Sequence, residues 1–97
     1  LEQLRQRIAV RYHILPLDKT EIGDYAYHRL HVAGADGNIV FEPDAMGEIY
    51  EYSSGVPRLI NLVCDRALLL GFAMETKTIT LDMIKRSVEE IEGYVRI

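Results

Sequence analysis

The chain has a single cysteine, no apolar run long enough to cross a membrane, and no surplus of positive charge. Each shortage excludes something. Cys64 cannot close an internal disulfide, and its apolar neighbours mark it as a buried structural thiol suited to a reducing setting. With no run of about 20 apolar residues and no signal-peptide pattern, no membrane segment is expected within these residues. A formal net charge of −4 argues against a whole-domain nucleic-acid binder. There is no Gly-rich phosphate loop ending in Lys-Ser/Thr, no nucleophile with a base partner, no internal repeat and no low-complexity stretch. His28 and His31 lie three apart on one helix face, but no Cys or carboxylate pattern completes a metal set. The carboxylates are scattered on solvent faces. By itself the chain is expected to catalyse nothing.

What is present is an ordinary globular composition. Ninety-seven residues, 48% apolar and 27% charged, make one small domain able to build a modest core without metal or disulfide support. Charge is uneven along it. Residues 1–17 hold Arg5, Arg7 and Arg11 against Glu2 alone, whereas the remainder carries eight basic and fourteen acidic side chains. The chain begins at Leu1, in what reads as the middle of a helix, so an excised piece of something longer is expected.

Leu1, Leu4 and Ile8 follow helical spacing, and Arg11-Tyr12-His13-Ile14-Leu15 reads as a short strand stopped by Pro16. That strand has no partner in a helical domain; either it pairs with another copy or its sheet lies elsewhere. Asp18-Lys19-Thr20-Glu21 is a capping-box variant, with Asp18 as N-cap and Glu21 reaching back. The helix it opens is predicted to run to about Ala33 with Ile22, Ala26, Leu30 and Ala33 inward, and Gly34 as its stop. Pro43 opens a second helix through Tyr52, with Ala45, Met46, Ile49 and Tyr50 inward. A third, Pro57 to about Glu75, is apolar on most sides and belongs at the centre of a bundle. Its polar residues Arg58, Asn61 and Asp65 form one narrow stripe. Thr80 caps a fourth helix, with Ile84, Val88 and Ile91 inward and Gly93 as its end. Ile39-Val40-Phe41 and Lys77-Thr78-Ile79 are able to form a two-residue ladder. The tyrosines fall mostly at helical core spacing rather than as a stacking platform for bases.

The informative stretch is Ser53-Ser54-Gly55-Val56-Pro57-Arg58-Leu59-Ile60-Asn61. Gly55 suits a left-handed helix stop, and Pro57 suits the first position of the next helix, where no amide hydrogen is needed. Arg58 then places a cation in the first turn, the end of a helix that favours anions. Two readings fit. Arg58 meets an anion held against the helix start, or it pairs with a surface carboxylate. Arg7 and Arg11 form a second basic group, and arginine's planar fork grips phosphate oxygens in two places at once.

The order of elements around Gly-Val-Pro-Arg-Leu-Ile-Asn resembles the C-terminal lid of an AAA+ ATPase, preceded by the last helix and strand of the ATPase core. The runs Leu4-Arg5-Gln6-Arg7-Ile8, Arg11-Tyr12-His13, Ser53 to Asn61 and Leu62-Val63-Cys64-Asp65-Arg66-Ala67-Leu68 are most similar to the general secretion pathway A-type (ExeA-like) ATPases of type II secretion. The resemblance implies an all-α, four-helix lid over residues 18–92, a core remnant over 1–17 and a tail over 93–97. It implies that Arg58 is sensor 2, reaching the nucleotide phosphates of its own subunit, with Val56 and Pro57 close to the nucleotide. Arg7 is implied as the finger into a neighbour's ATP site, with Arg11 as substitute. ATP and Mg are implied for the parent protein, and none bound to these residues alone. The implied partners are the ATPase core of the same chain, neighbouring subunits of a homo-oligomer and secretion-envelope proteins, at the cytoplasmic face of the inner membrane. Related DNA-associated AAA+ lids of the transposition or origin-binding kind share much of the pattern, and a plain helical adaptor is the third alternative.

Overall fold

A computed structural model describes residues 16–32, 34 and 38–96 of the chain. The expected opening helix and strand, with Arg7 and Arg11, lie outside the described residues, as do Ala33 and the centre of the turn after it. Four helices and a two-stranded ladder make up the rest: α1 Ile22–Val32, β1 Val40–Phe41, α2 Pro43–Ser53, α3 Pro57–Ala73, β2 Thr78–Ile79 and α4 Leu81–Arg96. This is the expected all-α bundle with its small ladder.

The helix starts follow from local chemistry. Asp18 Oδ1 accepts from the Thr20 and Glu21 amides, each at 3.0 Å, while Glu21 Oε1 accepts from the Asp18 amide at 3.0 Å. The reciprocal box therefore closes as the spacing predicts, satisfying donors that the first helical turn leaves free. Pro43 opens α2 and Pro57 opens α3. At α4, Thr80 Oγ1 accepts from the Met83 amide at 3.3 Å. The ladder is parallel, pairing Val40 with Thr78 and Phe41 with Ile79, so its crossover contains both α2 and α3. Tyr27 seals its edge from α1. Its hydroxyl accepts from the Phe41 amide at 2.9 Å, and the two rings meet edge to face at a centroid distance of 5.4 Å.

The α3 helix packs against every other helix and against β2. Ile60, Val63, Cys64 and Ala67 form its inward face, meeting Ile22 and Ala26 of α1, Ala45 and Ile49 of α2, and Met83 and Ile84 of α4 in one core. Each buried branched side chain there contributes about 1.5–3 kcal/mol by leaving water. Buried Ser87 escapes an unsatisfied hydroxyl by donating to the Met83 carbonyl one turn back, at 2.8 Å.

Three features differ from expectation. Gly93 does not end α4, which continues to Arg96; no close neighbour occupies the space beside Gly93, and one glycine costs a helix only about 1 kcal/mol. The α3 helix stops at Ala73 rather than near Glu75, because Glu75 takes a left-handed conformation (φ 56°) and the Thr76 amide turns back to the Gly71 carbonyl. Leu17, assigned by sequence to the preceding segment, is seated in the bundle core.

Burial pushes the Cys64 thiol up to about 12, with the neighbouring Asp65 carboxylate adding and Arg29 opposing. The folded thiol stays neutral where an unfolded one, near 8.5, ionises. Its contribution to stability is therefore complete below about pH 8.5 and is lost as pH rises toward 12. Iodoacetamide at pH 8 should alkylate Cys64 at least about 100-fold more slowly in the folded chain than in urea, because the thiolate is the reacting form. Equal rates would show the thiol to be accessible.

Candidate functional site

The turn between α2 and α3 is built from backbone constraints. Ser54 caps α2 in the left-handed region (φ 51°) and donates its amide to the Tyr50 carbonyl at 2.8 Å. Gly55 follows with φ 81°, so two consecutive left-handed residues make the stop that sequence assigned to Gly55 alone. The Gly55 amide donates to Ser53 Oγ at 3.1 Å, which accounts for a serine buried at that position. Val56 then adopts extended backbone as N-cap, and Pro57 begins α3.

This helix start has no counter-charge of its own. Val56 offers no side-chain cap, Pro57 has no amide hydrogen, and the first turn holds no acidic residue. Arg58 is exposed, and among the described residues it has no hydrogen-bond or ion-pair partner. Among the described residues no carboxylate pairs with Arg58. Pro57 is buried and Val56 half-buried, so of the three expected binding residues only Arg58 presents its whole head group. Tyr52, at the end of α2, belongs to the same surroundings. Burial raises its phenol pKa, the Glu92 carboxylate adds to the shift, and the Arg58 guanidinium opposes it.

The polar stripe on α3 divides. Asn61 Oδ1 accepts from the Tyr25 hydroxyl at 3.0 Å, and Asp65 takes a forked pair from Arg29, Nη2 to Oδ2 at 3.0 Å and Nε to Oδ1 at 3.4 Å. Both lock α3 to α1; Arg58 alone faces away from any partner. Tyr25 and Arg29 were not singled out from sequence, since nothing local signals a pair 36 residues apart.

Beyond Arg58, the same side of α3 carries the paired Asp65 among exposed apolar residues. Leu62, Leu69 and Phe72 recur at spacings that return to the Arg58 face, and they are 46%, 60% and 70% exposed. The α3 helix is central as expected, and among the described residues these three side chains are left uncovered. Near its far end, Leu68, Gly71 and Phe72 border a groove of about 290 Å³ with Ile39 and Lys77. Thirteen residues of helix place that groove roughly 20 Å from Arg58. His28 and His31 remain on α1, and no group of three His, Cys, Asp or Glu among the described residues stands close enough to hold a metal ion.

Over 93 residues, 96% of its length, the chain is 44% identical to General secretion pathway protein A of Aeromonas hydrophila. It is similar to a segment of a secretion-pathway protein. The chain spans 17% of that relative's length. No family model and no solved structure matches. Among the described residues, no helix is long and apolar enough to cross a membrane.

The Arg29–Asp65 pair is partly exposed, 35% and 46% at the side chains. Water limits such a pair to about 0.5–1 kcal/mol. A double-mutant cycle of Arg29→Ala and Asp65→Ala in urea should return a coupling of that size, shrinking in 1 M salt. Zero coupling at low salt would mean the fork does not hold α1 to α3.

Proposed function

We propose that the chain is the lid of an AAA+ ATPase acting in type II secretion, with Arg58 as its sensor 2. The observation that carries this is an exposed guanidinium, free of partners among the described residues, in the first turn of a helix whose start lacks both a side-chain cap and an acidic residue. Helix start and guanidinium together make positive potential, and no described residue pairs with the guanidinium. The similarity to a secretion-pathway protein supports the secretion branch over the DNA-associated one. The exposed Leu62, Leu69 and Phe72 on α3 suit a surface that another domain covers.

Phosphoryl transfer depends on positioning and on positive charge around the transferred phosphate more than on covalent help. A lid supplying one such charge lets bound ATP set the angle between lid and core, and lets hydrolysis release it. In this reading Arg58 reaches the phosphates and Val56 and Pro57 line the approach. Arg7, outside the described residues, is the candidate finger into the neighbouring subunit. No described cluster suits Mg, so the reading assigns Mg and the phosphate loop to the remainder of the longer protein. Its partners there are the ATPase core, further subunits of a homo-oligomer and secretion-envelope proteins.

Arg58→Ala in the full-length protein should lower ATP turnover by about 100-fold, as loss of a preorganised donor to a developing charge commonly does. The helical content should be unchanged by circular dichroism. Unaltered turnover would leave the domain a helical adaptor without a nucleotide role.

A further inference from the structure

The chain enters the bundle at the Arg58 turn. Leu17 is 2% exposed, and its amide donates to the Gly55 carbonyl at 2.8 Å. The approach is closer than that one bond requires. A Cβ built on Gly55 would collide with the Leu17 carbonyl oxygen and crowd its carbonyl carbon and amide nitrogen. Gly55 also has φ 81°, which a side chain opposes. Both demands fall on one residue, three positions before Arg58. Immediately after Leu17, the Asp18–Glu21 box turns the chain into α1, so Leu17 is held by the Gly55 bond on one side and by the box on the other.

We infer that Gly55 is a positioning residue: the Leu17–Gly55 clasp makes the entering chain and the Arg58 turn one rigid unit. Leu17 is held at the Arg58 end of α3, not at its groove end. The inference rests on the ATPase reading, and it assigns to that site a device setting how Arg58 meets phosphate. A lid carrying a charge on a loose tether would reach the phosphates in many attitudes, few of them productive. A clasp one turn from the charge removes that freedom. Any change of angle must then carry Leu17, Gly55 and Arg58 together.

The test is a double-mutant cycle on ATP turnover of the full-length protein, normalised to folded protein. Gly55→Ala should lower kcat at least about tenfold with Arg58 present and less than about twofold in the Arg58→Ala background. A residue needed only for folding would cost the same factor in both. Equal factors overturn the positioning role while leaving the ATPase reading intact. No effect of Arg58→Ala by itself overturns the ATPase reading and the inference with it. If Gly55→Ala does not fold, Leu17→Pro replaces it, since proline removes the amide donated to the Gly55 carbonyl and keeps an apolar side chain in the core. The same inequality between backgrounds supports the inference, and equal factors or unchanged turnover overturn it.

Discussion

One helix has to serve as wall for everything else. The α3 helix supplies the surface on which α1, α2, α4 and β2 all pack, so its placement settles theirs. The buried residues Ile60, Val63, Cys64 and Ala67 meet these neighbours, while Leu62, Leu69 and Phe72 stay exposed. The beginning of this same helix carries Arg58. Fold and candidate site are thus two ends of one constraint. What packs the domain also aims the guanidinium.

Charge is distributed so that the aim is kept. Along α3, Asn61 and Asp65 are each answered from α1, by Tyr25 and Arg29, and neither remains to compete for Arg58. A carboxylate in the first turn would have satisfied the helix start and drawn the arginine down onto the surface. None is there. The Glu92 carboxylate and the Arg58 guanidinium both act on the Tyr52 phenol, in opposite directions. The arrangement leaves the head group extended into water at the point where the chain enters the bundle.

Much of this was legible in the sequence because it is local. The Asp18 box, the prolines opening α2 and α3, the Thr80 cap and the left-handed stop near Gly55 each involve residues within four positions of one another. Their geometry needs no knowledge of the rest of the fold. The Tyr25–Asn61 and Arg29–Asp65 links were not legible, because they depend on how α1 crosses α3. Hydropathy likewise declared Leu62, Leu69 and Phe72 apolar without revealing that no helix among the described residues covers them. Gly93 misled for the opposite reason: its local signal was real, but α4 is held by Met83, Ile84 and Ile91 and absorbs the small penalty. At the candidate site, the arginine, the proline and the glycine could be named from their order alone. The role of Leu17 could not, since the approach that forbids a side chain at Gly55 exists only after folding.

The parallel ladder carries a consequence for the order in which the domain assembles. Its partners Val40 and Thr78 are about forty residues apart, with both middle helices inside the closed loop. Bringing such ends together costs on the order of 3 kcal/mol in chain entropy before any constant term. The bonds from Val40 to Lys77 and from Glu42 to Ile79 return about 1 kcal/mol each. The two strands cannot recruit the helices between them; they zip only after those helices have docked, which makes the ladder a record of completed folding rather than its seed.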